Sequence, residues 1–479
     1  MGAIAMTGLK RNLPIAIVLA VGWATRLHEF LLNRSLSWYE AALATNILHK
    51  PLAALVGPLD NHEAAAFGYL LLSRAAVAIL GDGERALRLV PLVCGLASLP
   101  LLYIVAKRYL APWLAVAVVA LFAIAPAQIL WANTVKGYAT DLVVALVLLW
   151  AADWLTSSTT SAWRAAAVGA AAVWCSLSAC FVLAGIWLAA AIDVAAARAW
   201  RRFARLAGAA AVWTVSFAVY YVVSLRHSEA DAYLRHLWVD YFLSVRDLEQ
   251  TRELLALTFV DPLNIVAASA WPIVPVVVAG VAALWRMPRR RAAELVVTPA
   301  CVAAASCVGF YPWADRMLLF VTPLLVILLV AGAAEIGAWV GRRRATVAVA
   351  VTTVLIALFG ARSVKWTWTP IDRWDETRPL VAYIAEHLQP GDRIFAAEYS
   401  AVYEYYKDRY GLGAVPYTIG PYYDDEQGSY DCRTSPRPEP GARWWVLTDR
   451  LDVRACFKPL GAPRTIVTAE DAGLYLYSR

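Results

Sequence analysis

Apolar runs of about twenty residues recur from residue 13 to residue 361, and short basic clusters punctuate them. A helix needs about 20 mostly apolar residues to cross the ~30 Å hydrocarbon layer, and it satisfies its own backbone there. Runs of that kind lie near 13–32, 86–106, 112–132, 138–156, 163–178, 181–198, 206–225, 264–285, 293–311, 317–337 and 345–361. The residues are 61% hydrophobic and only 16% charged, against about 25% charged in an ordinary soluble domain. Twenty-one Trp and 22 Tyr add side chains that favour the water–lipid boundary. The expected fold class is a polytopic α-helical membrane protein of about eleven spans.

Basic clusters at Lys10-Arg11, Lys107-Arg108, Arg164, Arg198 to Arg205, Arg286 to Arg291 and Arg342 to Arg344 set the orientation. If the short run 64–80, which carries Arg74, is left out of the count, every cluster falls on the side of the N-terminus. That arrangement obeys the positive-inside rule. Residues 64–80 are therefore expected to lie as an interfacial helix on the outer surface. The N-terminus is expected in the cytoplasm and the C-terminus outside, in a bacterial inner membrane. The run after Lys10-Arg11 has no small-residue cleavage site and reads as a retained first helix. The net charge of +7 sits in these loop clusters and does not point to nucleic acid.

Residues 1–364 are then the membrane domain, with 33–85 as a long first outer loop. Residues 365–479 change character, with 14 Lys/Arg against 17 Asp/Glu. "ETRPLVAYIAEHL" has helical apolar spacing, and "QPGDRIFAAE", "ARWWVLTD" and "GLYLYSR" supply a turn and strand-like runs. A small periplasmic α/β domain is expected. Cys432 and Cys456 lie in it and suit a disulfide on that side, whereas Cys94, Cys175, Cys180, Cys301 and Cys307 lie in apolar segments and suit packing. No cysteine or histidine spacing argues for a metal.

The acids of the first outer loop are Glu40, Asp60, Glu63, Asp82 and Glu84. "GPLDNHEAAAFGYLL" puts Asp60, His62 and Glu63 directly before the interfacial helix, where Asp60 and Glu63 also suit a helix N-terminus. The loop 226–263 mixes basic, aromatic and acidic residues, which suits donor gating, acceptor binding or an amphipathic interfacial helix.

"SWYEAALATNIL", "PLDNHEAAAFGYLLL", "GDGERALRLVPLVCGLASLPLLYIVAKRY", "APAQILWANTVKGYATD" and "FYPWADRMLLFVTPLL" occur in that order. Over about 1–340 this resembles the GT-C superfamily, most closely its protein-O-mannosyltransferase and aminoarabinose-transferase-like branch. The resemblance implies an integral membrane glycosyltransferase that takes a sugar from a polyprenyl-phosphate donor. It also implies outer juxtamembrane helices, in agreement with the charge-derived place of 64–80. Two departures stand out. Tyr39 precedes Glu40 where such proteins usually carry Asp-Glu, and Thr134 stands where an acid is frequent.

Sugar transfer from a lipid phosphate needs a base for the acceptor hydroxyl and cations for the phosphate that leaves. Glu40, beside Trp38 and Tyr39, is the expected base, with Asp60 and Glu63 as second candidates and Asp141 as a possible substitute. His62 and Tyr39 are candidate substrate contacts. Arg316 and Lys136, at outer helix ends, are the candidate phosphate contacts, and the resemblance gives Arg316 that role. Tyr138 and Arg88 join them as weaker additions; Arg88 opens the second span from the outer side, and a cation retained there runs against the charge trend. No cofactor or metal is expected. The expected partners are the lipid-linked donor, a glycolipid, glycan or protein acceptor, and membrane lipids.

A transporter or flippase is the alternative from another class. Midplane charges and repeated halves would mark it, and the chain has few such charges and no detectable halves. A non-catalytic relative that binds a lipid-linked sugar is a further alternative, raised by the missing Asp.

Overall fold

The structure is a computed structural model. It describes residues 2–227, 238–260, 274–314, 316–366, 376–396, 400–419, 423–424, 429–430, 443–448, 456–457, 464–469 and 472–477. Two units pack internally. Met1–Leu31, Leu52–Ile79 and Arg88–Ile371 form the first, and Leu32–Pro51, Leu80–Leu87 and Asp372–Arg479 form the second.

The first unit is helical. Among the described residues, six helices are long and apolar enough to cross a membrane: Asn12–Leu32, Glu84–Ala106, Tyr138–Ser157, Ala179–Ala196, Trp200–Val223 and Thr322–Val340. Phe67–Leu80, Pro112–Ile124, Val274–Leu284 and Ala345–Ala361 are shorter apolar helices. The helices Thr159–Cys175 and Arg289–Cys307 correspond to the runs expected at 163–178 and 293–311. Of the run expected at 264–285, residues 264–273 lie outside the described residues, as do 228–237 and 261–263 of the loop 226–263.

Close approach of the helices depends on small residues. A Cβ on Gly185 would meet Thr298 Oγ1 at 2.0 Å, and one on Gly332 would meet the Val276 carbonyl at 1.9 Å. Both glycines therefore let helices pack backbone to backbone, as is common between membrane helices.

The run 112–132 is broken. Helix Pro112–Ile124 ends at Ala125, whose ψ of 119° is extended, and a short helix Pro126–Trp131 follows. Proline pushes the residue before it out of the helical region and donates no N–H. The carbonyl four residues before Pro126, that of Phe122, thus loses its helical donor. Arg26, fully buried in the first helix, donates to the Phe122 carbonyl at 3.3 Å and to that of Ala123 at 3.1 Å. A cation at the C-terminal end of a helix also suits its dipole.

A second charged assembly ties together the segments around 108, 153 and 290. Arg108 contacts Asp153 through Nε (3.2 Å) and Nη2 (3.0 Å) and reaches Glu294 at 3.1 Å. Tyr109 donates to Glu294 at 2.6 Å, and Arg290 approaches the same carboxylate at 3.3 Å. Glu294 is 0% exposed. Burial opposes charge on Arg108, but Tyr109, Glu294 and Asp153 outweigh it and hold the guanidinium pKa above its ordinary value. Burial, and then the charge of Glu294, push the Tyr109 hydroxyl up as well.

The second unit contains a five-stranded sheet. Strands β1 (Arg393–Ala396), β2 (Tyr417–Ile419), β5 (Trp444–Thr448), β6 (Arg464–Ala469) and β7 (Ala472–Tyr477) run in the order β2-β1-β5-β7-β6, and β3 (Tyr423–Asp424) pairs with β4 (Ser429–Tyr430). β1 is parallel to β2 and β5, and β7 is antiparallel to β5 and β6. The parallel β1–β2 pair needs a crossover, which helix Ser400–Lys407 supplies. Phe395, Trp444, Val446, Phe457, Tyr475 and Tyr477 form the core. Cys456 is disulfide-bonded, and Cys432, its expected partner, lies outside the described residues. Cys94, Cys175, Cys180, Cys301 and Cys307 are free.

The segments 32–51 and 80–87 belong to this unit through named bonds. Leu36 N–H donates to Tyr406 at 3.0 Å, and Arg378 donates to Glu84 at 3.1 Å and to the Asn33 carbonyl at 2.9 Å. Asp82 pairs with Arg409 at 2.8 Å. Two of the five acids of the first outer loop, Asp82 and Glu84, are thus structural.

Candidate functional site

In the first unit, the expected phosphate contacts sit around the turn between helices Pro126–Trp131 and Tyr138–Ala151. Trp131 and Tyr138 flank that turn and meet edge to face, with ring centroids 5.0 Å apart. Arg316 opens the 3₁₀ turn Arg316–Leu318. Its guanidinium lies 4.6 Å from the ring centroid of Trp238 and 5.6 Å from that of Trp131. Both indoles are buried. The Trp313 N–H donates to the Tyr241 carbonyl at 2.7 Å, which fixes the segment before Arg316 against the turn Val239–Tyr241 that follows Trp238. Indole faces attract a guanidinium through their quadrupole, and most strongly where water is excluded. Asp315 lies outside the described residues.

Lys136 is held in the same turn. Its N–H donates to the Thr134 carbonyl at 2.7 Å. Thr134, at the position where an acid is frequent in the resembling proteins, is buried, and its hydroxyl donates to the Leu130 carbonyl at 2.8 Å. The Lys136 ammonium pairs with Glu63 at 2.5 Å. The two side chains are 13% and 10% exposed.

Glu63 does not begin a helix. The helix expected at 64–80 starts at Phe67, with no acid in its first turn. Asp60, Asn61, His62 and Glu63 instead form a tight turn, closed by the Glu63 N–H on the Asp60 carbonyl at 3.4 Å. Asn61 (φ 59°) and His62 (φ 54°) are both left-handed, as the centre of a type I′ turn requires. The helix-terminus reading of Asp60 and Glu63 is therefore corrected. Asp60 and His62 are exposed at the turn, and Arg88 is buried in helix Glu84–Ala106. Asp141 stands in the first turn of Tyr138–Ala151 and bonds Ser176.

Glu40 and Tyr39 belong to the second unit. Glu40 is buried in the first turn of helix Trp38–His49, and its Oε2 accepts from the Ser37 N–H at 3.1 Å and the Ser37 hydroxyl at 3.2 Å. That is the reciprocal half of a capping box, in which the carboxylate three residues into a helix satisfies the cap's own N–H. Tyr39 is half-buried and meets Trp38 edge to face, with centroids 5.7 Å apart.

Three features escaped the reading of the sequence. The Ser37-x-x-Glu40 spacing is a capping-box signature that was there to be read. Arg290 and Glu294 are four apart on a helix, a spacing that favours ion pairs. The convergence of Trp131 and Trp238 on Arg316 carries no local signal, because their segments are far apart in the chain. Among the described residues, no group of three or more His, Cys, Asp or Glu side chains is placed to hold a metal ion.

The chain shares its fold with solved structures of ArnT and of an archaeal oligosaccharyltransferase. It is similar to ArnT from Cupriavidus metallidurans in the apo state, with a TM-score of 0.57 and 14% identity over 99% of this chain and 98% of that chain. It is similar also to the same protein bound to undecaprenyl phosphate, with a TM-score of 0.56 and 13% identity over 97% of each chain. The Archaeoglobus fulgidus oligosaccharyltransferase in complex with Zn and sulfate matches with a TM-score of 0.53 and 14% identity over 84% of this chain and 62% of that one. No protein-family model matches, and no curated protein does.

Proposed function

We propose that this protein is a membrane glycosyltransferase that moves a sugar from a polyprenyl-phosphate donor to an acceptor hydroxyl on the outer face of the membrane. The observation that carries the reading is Arg316, a guanidinium seated against the buried indoles of Trp131 and Trp238 near Tyr138. A cation held by aromatic faces suits a phosphate that must bind and then leave. The GT-C fold supports it, since one similar structure holds undecaprenyl phosphate and another, the archaeal oligosaccharyltransferase AglB, holds a dolichol-phosphate.

In this reading Arg316 and Lys136 meet the phosphate, with Tyr138 and Arg88 in support. Glu40 takes the acceptor's proton, and the freed oxygen attacks the anomeric carbon. The bond from that carbon to the phosphate oxygen breaks, and its electron pair leaves with the lipid phosphate. A single displacement inverts the anomeric centre. No metal is required if the two cations meet the phosphate charge. Asp60, His62 and Tyr39 are assigned to acceptor or sugar contacts.

The proposed topology has eleven spans, a cytoplasmic N-terminus, a membrane domain of 1–364 and a periplasmic domain of 365–479. Exposed Trp113, Trp163, Trp200, Trp285 and Trp339 support it. Each adjoins a basic cluster at a helix end, as an interfacial aromatic belt does.

The capping box at Glu40 favours one second reading, a relative that binds lipid-linked sugar without transferring it. Glu40→Gln separates the two, because glutamine keeps the acceptor oxygen for Ser37 and lacks basicity. Turnover should fall about 10²- to 10⁴-fold with an intact fold, the usual range for loss of a general base. Undiminished product from the variant would remove Glu40 as the base.

A further inference from the structure

We propose that Arg26, in the first helix, is a positioning residue for the aromatic cradle: it sets the bend at Ala125, and the bend sets where Trp131 presents its indole to Arg316. The inference rests on the reading of Arg316 as the phosphate contact.

A charge at this place needs a reason. Arg26 is 0% exposed within the apolar span Asn12–Leu32. Ionisable side chains inside membrane spans are costly, and the default reading of one is functional. The guanidinium donates to the carbonyls of Gly22 at 3.0 Å, Ala123 at 3.1 Å and Phe122 at 3.3 Å. Among the described residues no carboxylate pairs with it. An apolar side chain would avoid the cost of burial, so the retained cation points to what it holds.

It holds the last turn of helix Pro112–Ile124, directly before the chain leaves the helix at Ala125. The far end of the next helix is seated as closely. Ala132, the residue after Trp131, packs on Gly95: a Cβ on that glycine would lie 2.3 Å from the Ala132 Cβ and 3.6 Å from Arg26 Cδ. The head of Arg26 thus grips the end of one helix, and its stem borders the point where the end of the other docks.

The helix between, Pro126–Trp131, has six residues. At 1.5 Å per residue it is about 9 Å long, so a swing of about 10° at Ala125 moves its end by about 1.5 Å. The guanidinium of Arg316 stands 5.6 Å from the Trp131 ring centroid. Attraction between a cation and a ring fades beyond about 6 Å, so a displacement of that size away from Arg316 ends the contact.

The test is a titration of the purified full-length protein with undecaprenyl phosphate, read by native mass spectrometry in detergent. Arg26→Lys keeps the charge but lacks the fork that reaches two carbonyls. It should weaken binding about three- to tenfold, the worth of one indole contact. Gly95→Ala leaves Arg26 in place and pushes Ala132, with Trp131, off its seat, and should weaken binding to a similar degree. Neither substitution should weaken binding further in the Trp131→Leu background, where the indole they act through is gone. That coupling separates positioning from a general loosening of the fold, which would lower affinity equally in both backgrounds. Equal losses in both backgrounds, or wild-type binding by Arg26→Lys and Gly95→Ala while Arg316→Ala weakens it, would overturn the positioning role and leave the phosphate reading intact. Binding indifferent to Arg316→Ala would overturn the phosphate reading beneath it.

Discussion

Arg108 and Arg316 both lie against aromatic rings in the helical unit, yet they are held in different ways. Arg108 stacks on Tyr109 and meets two carboxylates, Asp153 and Glu294. Glu294 is in turn shared with Arg290 and Tyr109. Each charge there has several partners, and the assembly is closed. Arg316 lies between two indole faces, which attract a cation without supplying a formal negative charge. The first arrangement fastens helix ends together. The second sets a positive charge against two buried aromatic faces, and it is there that the phosphate contact is proposed.

The largest effect should come from breaking the closed cluster. Glu294→Ala leaves Arg108 and Arg290 facing a buried gap, and a pair broken from one side in such surroundings costs about 3–5 kcal/mol. Thermal unfolding of the purified protein should register that loss, while turnover per folded molecule stays the same. A fall in turnover without a fall in stability would mean that this cluster serves the reaction.

A smaller effect is expected at the aromatic cradle. Trp238→Leu keeps an apolar side chain but removes the indole face, so polyprenyl-phosphate affinity should fall by the worth of a cation–π contact, about 0.5–2 kcal/mol. Trp238→Phe should lie between. Equal affinities for all three would show that the ring does not position Arg316 for a ligand.

Much of the architecture could be read from the sequence, because hydrophobic length and charge placement act locally. Six of the expected spans appear as helices of sufficient length and apolarity, and the strand-like runs in the C-terminal segment form β1, β5 and β7. The break at Ala125 could also be read, since Pro126 marks it, but the buried Arg26 that meets the freed carbonyls could not. The candidate site was less legible. Lys136 and Glu63 stood out separately as charges at the outer ends of apolar runs, and only the fold shows that they pair. Asp82 and Glu84 looked like their neighbours Asp60 and Glu63, yet they bind Arg409 and Arg378 within the second unit. Identical carboxylates differ in role through partners hundreds of residues away, which local pattern does not encode.

The central claim is that Arg316 holds a lipid-linked phosphate, and the direct measurement is undecaprenyl phosphate binding by wild-type protein and by Arg316→Ala. The variant should unfold at nearly the wild-type temperature and bind at least about tenfold more weakly, the scale of a charge-assisted hydrogen bond to phosphate. Equal binding by the two proteins would contradict the account.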